Sequence, residues 1–97
     1  MANDYDSIPL IKNEQLHRFE MTIHDDTAFI EFAEDNNILT FIHTEVPESL
    51  QGKGVGSAII EKSLSYAKAN GFGIKPICPF VHAYLKRHPE WNELLSK

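Results

Sequence analysis

Three of the chain's five glycines fall inside one six-residue window, Gln51-Gly52-Lys53-Gly54-Val55-Gly56. The window divides two textures. Before it, Ile38–Val46 is rich in β-branched and aromatic residues, the mark of a strand. Pro47 ends that run, because proline has no N–H to give a strand ladder. After it, Ile59, Ile60, Leu64 and Ala67 recur at helical spacing between Val55 and Asn70. Gly71 then stands where a left-handed helix C′ residue belongs. A strand that turns through glycines into a helix presents a ready anion site. The first N–H groups of a helix have no intrahelical acceptor, and its dipole adds about half a positive charge there. Glycines let a phosphate come close with no Cβ in the way.

The rest of the chain frames this loop. Residues 1–10 read as a polar, poorly ordered lead-in. From Phe19 the chain alternates, with Phe19, Met21 and Ile23 on one side and Arg18, Glu20 and Thr22 on the other, which is strand periodicity. His24-Asp25-Asp26 is a turn. Thr27–Ala33 is a second strand with Ala28, Ile30 and Phe32 on one face. Glu34-Asp35-Asn36-Asn37 is a strong turn signal leading into Ile38–Val46. Such short turns imply an antiparallel meander. Beyond the helix, Ile74–Cys78 is a short fourth strand stopped by Pro79. Phe80–His88 is a second helix, in which Phe80 faces Tyr84 and Val81 faces Leu85 at i,i+4. Pro89 ends it, and Trp91, Leu94 and Leu95 form a tail that folds back on the core. The expected order is β-β-β-α-β-α, an α/β (α+β) fold.

At 97 residues the chain is one domain. No apolar run is long enough to cross a bilayer and no signal-peptide pattern opens the sequence, so no membrane partner is expected. The single cysteine cannot form an internal disulfide, which makes a cytoplasmic location the default. No metal site is expected. Charge is divided unevenly. Residues 1–50 carry 2 basic and 11 acidic side chains, and residues 51–97 carry 7 basic and 3 acidic. The half that opens with the glycine loop is therefore the half suited to an anion. A nucleic-acid role is disfavoured, because the net charge of −5 is acidic and no recognition signature is present.

Two phosphate motifs are excluded by their own requirements. A Walker loop needs Lys then Ser or Thr after its last glycine, and these are absent. A dinucleotide fingerprint needs a third glycine where Ser57 stands, and a larger parallel sheet. The window does match Gln/Arg-x-x-Gly-x-Gly/Ala. In this it resembles the pyrophosphate loop of the GNAT N-acetyltransferase superfamily. Two further blocks, His43-Thr44-Glu45-Val46-Pro47 and Cys78-Pro79-Phe80-Val81 running into Tyr84-Leu85-Lys86-Arg87-His88-Pro89-Glu90-Trp91, are similar to a small GNAT-like family of about 100 residues. The similarity spans about Ile11 to Leu95.

The resemblance implies a truncated GNAT fold whose third and fourth strands splay around acetyl-coenzyme A. It implies that the pantetheine arm runs along the backbone of Thr44, Glu45 and Val46. The pyrophosphate would lie on the N–H groups of Gly52, Lys53, Gly54, Val55, Gly56 and Ser57, with Gln51 shaping the loop mouth. Cys78, Pro79 and Phe80 would line the wedge, and Lys53, Lys86 and Arg87 would answer the phosphate charge.

Amine acetylation requires a neutral amine, hence a base or a water chain ending at one. His43 and Glu45, on one side of the third strand, are the candidates. Tyr84 occupies the place where many superfamily members keep an acid for the leaving sulfur. Cys78 either relays the acetyl group covalently or only lines the site. Compared with a full superfamily member, the chain lacks two helices after the first strand and the strands after the last helix. The amine acceptor is therefore left open between a protein lysine, a polyamine and a small amine. A non-catalytic acetyl-coenzyme A-binding or sensor module is the alternative. The oligomeric state expected is a monomer or weak homodimer.

Overall fold

The computed structural model describes residues 5–95. Five strands form one sheet in the order β1-β2-β3-β4-β5: β1 (Ile11–Asn13), β2 (Arg18–Ile23), β3 (Asp26–Asp35), β4 (Ile38–Glu45) and β5 (Gly73–Pro76). Helix α1 (Val55–Ala69) links β4 to β5, and helix α2 (Pro79–Arg87) follows β5. Short 3₁₀ turns cover Glu48–Leu50 and Pro89–Leu94. The expected meander is present, with one strand more than the sequence pattern suggests. That strand, β1, has three residues, too few for an alternation to declare itself.

The turns explain the register. Asn36 and Asn37 both adopt positive φ, 51° and 63°, so β3 and β4 are joined by a two-residue turn of the hairpin type that matches strand twist. The β4–β5 pair is parallel and so requires a crossover, which α1 supplies. Helix α1 stops in a Schellman arrangement. Gly71 at φ 76° lets the Phe72 N–H reach the Ala67 carbonyl (2.8 Å).

One face of the sheet is apolar. Phe19, Met21, Ala28, Ile30, Phe32, Leu39, Phe41 and Ile74 are buried there with Ile59, Ile60, Leu64 and Ala67 of α1 and Val81, Tyr84 and Leu85 of α2. Trp91 and Leu94 pack against this core, and Leu95 bridges to Ile74, so the tail does fold back. From Tyr5 onward the lead-in differs from the poorly ordered segment expected of residues 1–10. Tyr5, Ile8 and Leu10 pack on the core. Residues 1–4 lie outside the described part of the chain.

The edge strand β1 is fastened by Lys12. Its ammonium stands 5.4–5.6 Å from the ring centroids of Phe32, Tyr66 and Phe72 and 2.8 Å from Glu34 Oε1. Burial opposes the charge, but the hydrogen bonds to Glu34 and Tyr66 outweigh it and hold the ammonium above the ordinary lysine pKa. Among the described residues no helix is long and apolar enough to cross a membrane.

Candidate functional site

The site forms where β4 outruns β5. Pairing between them covers Ile38–Phe41 against Gly73–Pro76, and the last link is the Cys78 N–H to the Phe41 carbonyl (2.8 Å). Beyond it β4 continues to Glu45, its strand pairing among the described residues being with β3 alone. Its free edge from His43 onward borders a gap, as expected for strands that splay.

A β-bulge sets which side chains face that gap. Phe32 pairs with Phe41, but Glu31 pairs with His43, so Ile42 is the extra residue. Uninterrupted alternation would put His43 and Glu45 on the core side with Leu39 and Phe41. The extra residue reverses the sides. Thr44 now opposes buried Ile30 and faces inward. His43 and Glu45 face outward, with Nε2 and Oε1 3.9 Å apart and the His43 ring against Phe29. The two therefore share a side, as their spacing suggests, but it is the outer face of the sheet.

On the inner side lies a cleft of about 480 Å³ lined by Thr44, Val46, Leu50, Gln51, Gly52, Gly54, Val55, Gly56, Ser57 and Phe80. Its polar wall is the glycine loop. Gly52 and Gly54 hold φ of 75° and 80°, which residues with a Cβ adopt only with strain. The first intrahelical bond of α1 runs from the Ala58 N–H to the Gly54 carbonyl (3.0 Å). The N–H groups of Val55, Gly56 and Ser57 precede it and have no acceptor within the helix. The first turn of α1 contains no acidic residue to compete for them. The apolar wall is Val46, Leu50, Val55 and Phe80. Gly56 lets the outer edge of the Phe80 ring approach the helix closely, since a Cβ there would stand 2.8 Å from Phe80 Cζ.

The loop is held at several points. The Gln51 side-chain amide donates to the Val46 carbonyl (3.0 Å), joining loop and strand end. The Ser49 hydroxyl donates to the Asp26 carboxylate at the start of β3. The Tyr5 hydroxyl donates to the Lys53 carbonyl (2.7 Å).

Cys78 is the residue before α2, with Pro79 as the first helical residue. Its thiol is 3% exposed and shares a 3.4 Å hydrogen bond with the Thr44 hydroxyl. Burial by itself raises a thiol's pKa. The bond to Thr44 and backbone hydrogen bonds at Val81, Phe80 and Thr44 outweigh it, so the pKa lies below that of an ordinary cysteine.

Of the other residues singled out from sequence, Lys53 is exposed on the loop and lines no part of the cleft. Lys86 borders a separate recess with Pro76, His82, Leu85, Asn92 and Leu95. Arg87 is exposed in the last turn of α2. Tyr84 is 4% exposed, stacks on His88 with 4.1 Å between centroids, and does not line the cleft. Burial raises its pKa and the charges of Glu61 and Glu90 add to this, while a hydrogen bond from Trp91 partly opposes.

Sequence reasoning missed two contributors. Leu50 is the only apolar residue between Pro47 and Gly54, which was a usable signal. Nothing in the lead-in marks Tyr5 as a partner of a loop 48 residues away.

The family model for GCN5-related N-acetyl-transferase matches residues 18–94, from β2 through the tail, and the chain belongs to this family. The solution NMR structure of a GCN5-like candidate N-acetyltransferase from Staphylococcus aureus superposes with a TM-score of 0.70 at 22% identity, over 94% of this chain and 90% of that one. At that identity the likeness establishes the fold.

Proposed function

We propose that the protein transfers an acetyl group from acetyl-coenzyme A to an amine. The observation that carries this reading is the cleft itself. An N–H-rich glycine loop and a free strand edge border one cavity, with an apolar wall between them. Such a lining suits a molecule with a pyrophosphate at one end and, at the other, a long arm in which amides alternate with short apolar segments. In this reading Gly52, Gly54, Val55, Gly56 and Ser57 hold the pyrophosphate, and Gln51 keeps the loop against β4. Thr44, Glu45 and Val46 offer their backbone to the arm, and Phe80 and Leu50 cover its apolar length. Bound acetyl-coenzyme A would supply the activated thioester.

The acceptor amine arrives from the outer face, where His43 and Glu45 point and where, among the described residues, no helix covers the sheet. Either side chain can take the proton that the amine must lose before it attacks, since both are exposed and adjacent. The outer face also carries Glu31, and the acidic first half of the chain favours a cationic acceptor. Its openness suits an extended substrate such as a lysine-bearing segment or a polyamine. Tyr84 keeps its proton well into alkaline pH. Its burial and its stacking on His88 argue for a packing role at rest.

The Thr44–Cys78 contact favours a second route. A Cys78 thiolate would attack the acetyl carbon, coenzyme A would leave as its thiolate, and the amine would then take the acetyl group from Cys78, restoring the thiolate.

Calorimetry with acetyl-coenzyme A, release of free thiol across a panel of amines and lysine peptides, and intact mass test the reading together. Binding with thiol release supports it. Binding without release on any acceptor would leave a sensor or carrier module, and no binding would remove both. A Cys78-dependent acetyl adduct selects the covalent route, and full turnover by Cys78→Ala excludes it.

A further inference from the structure

The loop that forms the polar wall of the cleft is built to be flexible, with two glycines at positive φ flanking Lys53. Its apex is nevertheless fastened from outside, by a residue that no loop motif contains. The Tyr5 hydroxyl donates a 2.7 Å hydrogen bond to the Lys53 carbonyl. Tyr5 is itself seated. Its ring packs on the core, its carbonyl accepts from the Ile8 N–H (3.0 Å), and Lys62 of α1 reaches the neighbouring Asp6 carbonyl (3.5 Å). Tyr5 does not line the cleft, whereas Gly52 and Gly54 on either side of its target do.

A trans peptide is planar, so its C=O and N–H point in opposite directions. The carbonyl of Lys53 and the N–H of Gly54 belong to one such plane. Holding the carbonyl on Tyr5 therefore turns the Gly54 N–H away from Tyr5. Of the three side-chain fastenings of the loop named above, this is the one that acts on the Lys53–Gly54 peptide. Gln51 and Ser49 act before it.

We infer that Tyr5 is a positioning residue for the anion-binding loop, orienting the Gly54 N–H for a phosphate it never touches itself. The lead-in before β1 thus belongs to the cofactor site. Without the hydroxyl the Lys53–Gly54 peptide loses this restraint, and the glycine torsion on one side of it lets the plane turn more readily. Binding must then meet the cost of ordering it. The inference rests on the acetyl-coenzyme A reading above.

The test compares wild type with Tyr5→Phe, which keeps the ring and removes the hydroxyl. Coenzyme A and pantetheine, which has the arm but no phosphates, are each titrated calorimetrically. The Gly54 amide resonance is followed without ligand. The expected result is a coenzyme A Kd raised roughly three- to tenfold, the worth of one hydrogen bond, with pantetheine binding unchanged and the Gly54 amide shifted. An unmoved Gly54 amide, an unchanged coenzyme A Kd, or equal weakening towards both ligands overturns the positioning role. Wild type that fails to bind coenzyme A removes this inference together with the proposed function. Wild type that binds, beside a variant that binds equally well, removes the inference alone.

Discussion

The Cys78 thiol and the Thr44 hydroxyl meet at 3.4 Å across the point where β4 and β5 part. The bond links the last residue before α2 to the first inward-facing residue after the bulge. It is also a principal reason that a buried thiol has a lowered pKa. Thr44→Val keeps the shape of the side chain and removes the hydroxyl. Burial then acts with less opposition, so the thiol pKa rises. Thiolate ultraviolet absorbance against pH checks this. Wild type should titrate below the urea-unfolded protein and the variant above wild type. Coincident curves for the two folded proteins would show that Thr44 does not stabilise the thiolate.

Gly56→Ala tests how the apolar wall is fitted. The new Cβ would meet Phe80 Cζ at 2.8 Å, but that atom is the far end of a ring 49% exposed and able to turn outward. The stability cost is therefore small, about 1 kcal/mol at most, while the cleft loses its cover. Thermal unfolding should show little change and coenzyme A titration a clear loss. The reverse pattern, large destabilisation with intact binding, would mean that Phe80 is held rigidly and is irrelevant to the ligand.

Gly54 separates backbone from charge. At φ 80° any Cβ is strained, so Gly54→Ala should cost about 1 kcal/mol of stability. Gly54→Asp adds a carboxylate beside the N–H groups that open α1. Its affinity for coenzyme A should fall well below that of the alanine variant, and raising the salt concentration should narrow the gap. Equal affinities for the two variants would argue against an anion at this loop.

On the outer face, His43→Ala and Glu45→Gln should leave the melting temperature nearly unchanged, because both side chains are exposed. Whichever side chain takes the amine proton should lower turnover roughly a hundredfold or more. If neither variant is slower on an acceptor that wild type acetylates, the base lies elsewhere.

Much of this arrangement is legible in the chain. The Asn36-Asn37 turn, the Gly71 helix stop and the glycine loop are each dictated by local conformational demands that few residue types meet. The bulge at Ile42 is not legible, because it depends on how β3 and β4 accommodate one another, and it decides the face on which His43 and Glu45 stand. Basic residues later in the chain suggest a phosphate clamp, yet Lys86 turns to another recess, since charge composition carries no direction. Tyr5 and Lys12 act through contacts with distant residues, and a short polar segment gives no periodic sign of either.

Lys12 allows the last of these hidden contributions to be measured. Its side chain is 17% exposed, is paired with Glu34 and lies among three aromatic rings. Lys12→Met keeps most of the aliphatic length and removes the charge, which should cost about 1 kcal/mol. Because the folded-state pKa is raised, the charge contributes fully below the unfolded value of about 10.4. Its contribution is lost as pH rises through the folded value. The stability gap between wild type and variant, from urea unfolding, should therefore be constant through neutral pH and close only in strong alkali. Coenzyme A binding should be unaffected, since Lys12 lines no part of the cleft. A gap that closed near neutral pH would show that the ammonium is not what holds β1 in place.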